Sequence, residues 1–266
     1  MNILKLMKFQ LYRHKKQLII WGSIIGGILF MYMILFPFIE ELGMAKIESF
    51  GEEFLKMFGM DGFTDFTNFV LYYGVMLRMV SVAITVFSIL FMGNLVFKEE
   101  REKTIELYAN IPISRQTLWV SKLAVGLIGV FLVTLTGFIT ITIAGLINGG
   151  ETYVFLDTLK VYLMYTMIPL LFGLLSFSLA SISAKYNMPA VSTGILFLLY
   201  FIGYIGALLE DKGTFLTYIS PFEQLNTNNV LSFNVGVFIT LITYVILIVS
   251  SLTFGFLRYQ KRDYVL

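Results

Sequence analysis

Apolar residues are concentrated in six long stretches that are separated by short polar or charged segments. Each stretch is about as long as the roughly 20 apolar residues that a helix needs to cross the hydrocarbon core of a bilayer. The pattern therefore predicts an all-α polytopic membrane protein with six transmembrane helices, forming a single transmembrane domain over residues 1–266. The six predicted spans cover residues 18–37, 75–97, 120–147, 159–182, 189–209 and 234–257.

Composition agrees with a membrane protein. Hydrophobic residues make up 58% of the chain and charged residues 14%, with a mean hydropathy of +0.83. A water-soluble domain of this length has no core large enough to bury so much apolar surface. A signal peptide is the alternative interpretation of the first stretch, but that stretch is too long and is not followed by a small-residue cleavage site.

The basic residues predict how the spans are oriented. Fourteen of them fall in residues 1–17, 98–122 and 258–266 and in the turn at Lys185, whereas the segments on the other side of the spans hold four. Cytoplasmic loops carry the excess of lysine and arginine in membrane proteins. We therefore expect both termini to be cytoplasmic and the protein to lie in the cytoplasmic (inner) cell membrane.

The N-terminal residues 1–17 have an apolar and a basic face when arranged as a helix. Such a helix is typical of segments that lie on an anionic lipid surface. An ordinary basic flank that orients the first span is an equally good interpretation. In the interfacial interpretation, the lipid-facing basic residues are Lys5, Lys8 and Arg13.

Residues 210–233 mix aromatic and polar residues. The segment is too apolar for a free loop and too short to span, which favours a re-entrant helical hairpin that enters the outer leaflet before the sixth span. An interfacial loop with aromatic anchors is the alternative. The candidate outer-gate residues in this segment are Phe215, Pro221 and Phe222.

Arg78 is a charged residue inside the second predicted span. If the span begins near Val75, three residues of helical rise place Arg78 about 4.5 Å inside the boundary. We therefore expect its side chain to extend to the outer headgroups. A role in a transport pathway is the alternative hypothesis, because ionisable residues inside membranes mark such pathways.

The chain lacks the residues that most chemistry in membranes requires. It has no cysteine, and its single histidine, His14, lies in the basic N-terminal segment, so we predict no metal site and no catalytic site. The spans hold no series of buried acidic, lysine or histidine residues for ion coupling, and no phosphate-binding loop is present. We therefore expect no cofactor in this chain, no nucleic-acid partner, and energy for any active transport from another protein.

The segment at 98–122 is the most highly charged part of the chain. Its first part is predicted to be a short helix of alternating charge, ended by Pro112, and Ser114 can cap the helix that follows. A solvated charged loop is the alternative. The residues of this pattern are Glu99, Glu100, Glu102, Thr104, Ile105, Glu106, Leu107, Pro112, Ser114, Arg115 and Lys122.

This pattern resembles the signature loop of ABC type-2 permeases, the membrane subunits of ATP-driven exporters. The sequence departs from it at Lys103, where many members have glycine. The Ser220, Pro221, Phe222 segment before the last span, the chain length and the six-span layout are also similar.

The resemblance implies a translocation unit of two copies, or of this chain with a close relative. Two separate ABC ATPase subunits, which bind ATP and Mg, would associate on the cytoplasmic side. The residues that would contact them in a coupling helix are Glu99, Glu100, Glu102, Thr104, Glu106, Leu107 and Tyr108.

The cargo is less defined. Aromatic residues make up 16% of the chain and polar residues in the spans are few, which favours a hydrophobic or amphipathic cargo: a lipid-like molecule, a drug, or an antimicrobial or phenol-soluble modulin peptide. Sodium export within the same family is an alternative to such a cargo. A non-transporting membrane scaffold or assembly factor is the alternative from another functional class.

Overall fold

The fold was obtained as a computed structural model, which describes residues 3–47, 67–101, 113–183, 185–209 and 212–261. Every regular element in these ranges is helical. Six helical stretches are long and apolar enough to cross a membrane, as the sequence predicted. The helices are α1 (Ile3–Ile34), α2 (Phe36–Ile47), α3 (Phe69–Arg101), α4 (Arg115–Asn148), α5 (Phe155–Ile182), α6 (Met188–Leu208), α7 (Thr214–Ile219), α8 (Pro221–Gln224), α9 (Thr227–Ser232) and α10 (Val235–Lys261), with a 3-10 turn at Gly150–Thr152.

The centre of the bundle is formed by α3 and α5, which pack along each other. In its most apolar part, 72% of α3 is buried within the chain, compared with 11% of α10. The second extensive contact joins α1 to α4, and α10 packs on the outside of α5. A movement of the bundle centre would therefore displace first the elements that contact α3.

Small and hydroxyl-bearing residues occur where helices approach most closely. Between α1 and α4, Thr136 donates a hydrogen bond of 3.1 Å to the Gly22 carbonyl, and a Cβ atom at Gly22 would lie 3.2 Å from the Thr136 side chain. Between α3 and α5, Ser176 donates to the Ile89 carbonyl at 3.0 Å. Small residues allow membrane helices to approach and share such bonds. In this chain they do so at both of these helix pairs.

One hydrogen bond marks each end of the bundle. At one end the Arg115 guanidinium donates to the Gln260 carbonyl at 3.1 Å, which joins the start of α4 to the end of α10. We call this the basic end, because the basic N-terminal part of α1 and the basic last turn of α3 lie there. At the opposite end, Asn148 donates to the Ile34 carbonyl at 3.2 Å. The assignment of the basic end to the cytoplasm stays a prediction from charge.

The N-terminal segment belongs to the first long helix. Because α1 runs from Ile3 to Ile34 without a break, no helix end separates the described part of this segment, from residue 3 onward, from the first span. Leu6 and Gln10 are buried, and the His14 ring packs edge-on against Phe91 at 5.6 Å, so this part of α1 is packed on the protein. The basic residues on its other face are exposed: Lys5, Lys8 and Arg13.

Local capping follows the sequence. The Ser114 hydroxyl accepts a hydrogen bond of 3.1 Å from the Thr117 backbone N–H and begins α4, as predicted. Asn187 accepts one from the Ala190 N–H at 3.3 Å, with Pro189 in the first turn of α6. These caps satisfy N–H groups that the helix itself leaves without partners.

Candidate functional site

The segment between α6 and α10 folds into three short helices that pack on the bundle. The helices α7 and α8 contact α6, and α9 contacts α3 and α5. Pro221 starts α8, where its missing N–H costs nothing, and the Asn226 side chain caps α9 by accepting from the Asn229 N–H at 2.8 Å. Asn229 in turn donates to the Glu223 carbonyl at 3.4 Å, which holds α8 and α9 together. We call α7, α8 and α9 the outer segment, a name that follows the orientation predicted from charge.

Phe222 fixes the outer segment in the bundle. Its side chain is fully buried, edge-on to the Tyr200 ring of α6 at 5.2 Å and stacked near the Phe172 ring of α5 at 6.4 Å. Pro221 is also buried, whereas Phe215 is 73% exposed. Of the three candidate outer-gate residues, the structure therefore brings Pro221 and Phe222 into the bundle and leaves Phe215 on its surface.

Arg78 forms an ion pair with Glu223 of α8. Its Nη2 atom donates to Glu223 Oε1, and the two side chains are 7% and 11% exposed. In the structure Arg78 is therefore buried against a protein partner. Because α3 begins at Phe69, Arg78 lies nine residues, about 13.5 Å, along the helix, where it contacts the outer segment.

The ion pair ties α3 to the outer segment strongly. Two charges removed from water lose hydration, and their attraction at close range offsets this loss when the geometry is good. Removing one partner leaves the other charge buried and alone, at a cost of about 3–5 kcal/mol. The paired arrangement is therefore the one in which α3 and α8 stay together.

A close approach of backbones supports the same contact. Gly74 lies one helical turn before Arg78, and a Cβ atom there would overlap the Thr227 side chain of α9. Gly203 of α6 likewise leaves space for Ser220, because a Cβ atom at Gly203 would overlap the Ser220 side chain. Glycine at these two positions allows α3 and α6 to contact the outer segment directly.

Sequence reasoning missed Glu223 as the partner of Arg78. A usable signal existed, because an ionisable residue inside a span is normally paired and an acid in a mixed apolar segment is a natural partner. Glu223 stands between Phe222 and Gln224 in such a segment. The sequence pattern does not indicate which span this segment contacts.

Most of the predicted coupling residues lie outside the residues that the structure describes. Glu99 and Glu100 lie in the last turn of α3, where the structure gives the backbone. Outside the described residues are Glu102, Thr104, Glu106, Leu107 and Tyr108. Within the described ranges, no group of three histidine, cysteine or acidic residues is placed to hold a metal ion.

A family comparison agrees with this architecture. Residues 7–259 match the family described as "Multidrug efflux system permease Rv1217c, C-terminal domain". No curated protein and no solved structure matches the chain. Because the family match extends over nearly the whole sequence, the chain belongs to this family of multidrug efflux permeases.

Proposed function

We propose that the chain is the membrane-spanning subunit of an ATP-driven efflux system, and that ATP is hydrolysed by two copies of a separate ABC ATPase subunit. A second copy of the permease, or a close relative, completes the translocation unit in the cell membrane. Family membership supports efflux as the activity. The resemblance of the 98–122 segment to the ABC type-2 signature loop supports the ATPase as the partner.

The observation that carries this proposal is the position of α3. It is a single helix of 33 residues, about 50 Å long, and most of its surface is buried in the bundle. Its last turn enters the predicted coupling segment, and its second and third turns carry Gly74 and Arg78, which contact the outer segment. One helix thus joins the proposed ATPase-binding end to the opposite end.

In this mechanism, an ATPase moves the basic end of α3. Because a packed helix moves as a unit, Arg78 is displaced with it and takes Glu223 and α8 along. The movement withdraws Phe222 from between Tyr200 and Phe172, so the opposite end opens. Alternation between the packed and withdrawn arrangements of the outer segment gives alternating access.

Acidic residues in the last turn of α3 and in the sequence that follows it provide the proposed recognition of the ATPase. Glu99, Glu100, Glu102 and Glu106 give charge complementarity to a basic groove, which orients the partner. Leu107 and Tyr108 insert as apolar anchors, since buried aromatic residues contribute much of the binding energy of interfaces.

The test is co-purification of the chain with a candidate ATPase from a neighbouring reading frame. The double substitution Glu100→Lys with Glu102→Lys should abolish the association. A matched control is Glu40→Lys with Glu41→Lys, which changes the net charge equally at exposed positions of the opposite end. Loss of association in both variants, or in neither, would contradict the assignment.

A transport assay with the reconstituted complex separates the exporter from a scaffold. An exporter moves a hydrophobic cargo across vesicles when ATP is supplied, whereas a scaffold binds the ATPase without transport. Sodium export predicts ATP-dependent movement of sodium and none of hydrophobic cargo. Movement of an antimicrobial or modulin-type peptide would assign the peptide-exporter specialisation.

A further inference from the structure

A groove of about 340 Å³ lies between α5, α6 and α10. Its walls include Phe172, Leu175, Leu199, Tyr244, Leu247 and Ser251. Leu247 is 53% exposed, so the groove opens to the surface of the bundle. Its volume is in the range of pockets that take small organic ligands.

The groove lies at the depth of the bilayer centre. Tyr244 and Ser251 are nine and 16 residues after the start of α10, which is roughly 14 and 24 Å along a helix of about 40 Å. The hydrocarbon core is about 30 Å thick, so a helix of this length places the groove well inside it. A molecule reaches the groove most directly from the lipid.

The chemistry of the walls selects an uncharged occupant. None of the described residues that line the groove carries a charge, and its polar groups are hydroxyls, those of Tyr244, Ser250 and Ser251. Apolar walls with a few hydroxyls are typical of sites for neutral hydrophobic molecules. A helical peptide does not fit, because two turns of helix with side chains occupy roughly 1,000 Å³.

The groove is also in contact with the outer segment. Phe172 in its wall stacks near Phe222, and the Tyr244 hydroxyl donates to the Ile219 carbonyl of α7 at 3.5 Å. An occupant therefore touches two of the side chains that hold the outer segment on the bundle.

A second space in the bundle, lined by Tyr73, Tyr162 and Tyr165, is much smaller. It measures about 20 Å³ and has room for about one water molecule.

We propose that the groove between α5, α6 and α10 binds a neutral hydrophobic cargo of small-molecule size, which enters from the bilayer and contacts the outer segment through Phe172 and Tyr244. The inference rests on the proposed function as an efflux permease. It specifies the cargo class and the place where the cargo leaves the lipid.

The test uses adamantyl diazirine, a neutral photoreactive hydrocarbon, with the purified full chain in phosphatidylcholine nanodiscs. We expect saturable labelling of the groove residues of α5 and α10, and its loss when an excess of unreactive adamantane is added. Leu247→Trp fills the groove and should abolish the saturable labelling. Ile246→Trp adds the same bulk at a neighbouring exposed position that does not line the groove, and should leave labelling unchanged.

Two results would overturn the proposal. Labelling that rises linearly with probe and is equal in both variants would mean that the probe reports lipid exposure alone. Saturable labelling that oleate displaces and adamantane does not would identify a lipid site instead. The assay contains no ATPase and no nucleotide, so its outcome is independent of whether the proposed ATPase coupling is correct.

Discussion

Arg78 and Glu223, which are 145 residues apart in the sequence, form an ion pair in the interior of the bundle. The pair connects α3, the most buried long helix, to α8, a helix of four residues. Neither side chain contacts bulk solvent to any large extent. The pair is therefore a specific attachment of the outer segment to the bundle centre.

Breaking this pair should destabilise the protein far more than breaking an exposed one. Arg78→Gln and Glu223→Gln should each lower the free energy of unfolding by about 3–5 kcal/mol, because the remaining charge stays buried without a partner. The measurement is denaturant unfolding in detergent micelles. Exchanging the two residues, Arg78→Glu with Glu223→Arg, should recover part of the loss.

The control for this prediction is the exposed pair of Lys160 and Asp157, in which Lys160 Nζ lies 2.7 Å from Asp157 Oδ1. Lys160→Gln should cost about 0–1 kcal/mol, since solvent screens an exposed pair. Equal losses for Arg78→Gln and Lys160→Gln would show that the interior pair does not hold the outer segment.

Gly74→Ala should displace α9 from α3. The added methyl group would overlap the Thr227 side chain, and overpacking of this kind costs about 1–3 kcal/mol. Gly27→Ala is the matched control, because a Cβ atom there meets nothing within 4 Å. Thermal unfolding in nanodiscs should separate the two variants, and the double variant Gly74→Ala with Thr227→Gly should recover stability. If Gly74→Ala and Gly27→Ala unfold alike, the close approach is not a constraint.

Phe222→Ala should loosen the outer segment. Loss of a fully buried phenylalanine costs about 3–5 kcal/mol when the surroundings cannot close the cavity. In the proposed mechanism it also weakens the closed arrangement, so reconstituted vesicles should leak a trapped water-soluble dye without ATP. Phe215→Ala, at a residue that is 73% exposed, should change neither stability nor leak. An intact seal in a folded Phe222→Ala protein would exclude this residue from the outer gate.

A kink in α3 should separate ATPase binding from transport. Ala83 is exposed and lies between Arg78 and the basic end of the helix, so Ala83→Pro introduces a kink without filling the core. We expect the ATPase to co-purify at the wild-type level while ATP-dependent cargo movement is lost. Ala83→Leu changes the same site without a kink and should transport normally. Full transport by a kinked variant would mean that α3 does not transmit the movement.

The existence of the spans was predictable because it depends on local composition. A backbone inside lipid must satisfy its own hydrogen bonds, so long apolar stretches become helices wherever they lie in the chain. Their ends were less predictable. The second span was expected at 75–97 but the helix covers Phe69–Arg101, because Tyr72 and Tyr73 are buried against protein and extend the helix beyond its most apolar part.

The caps at Ser114 and Asn187 were predictable for the same local reason, since a cap involves residues three positions apart. The sequence left two interpretations of the N-terminal segment open, and the structure has one continuous helix there, α1. Its alternation of basic and apolar residues suits an interfacial helix as well as the exposed and packed faces of a continuous one. Contacts such as that of His14 with Phe91 distinguish the two, and they are made with another helix.

By itself, the amino-acid order determined six membrane-length helices, the caps at Ser114 and Asn187 and the unequal distribution of basic charge, because each depends on neighbours within a few turns. The tertiary structure alone decided that Arg78 contacts Glu223, that Gly74 gives space to Thr227, and that a groove remains between α5, α6 and α10. These features join residues from distant parts of the chain, and they depend on how packed helices fill space in three dimensions. The residue pattern within one segment therefore does not predict these contacts or the groove.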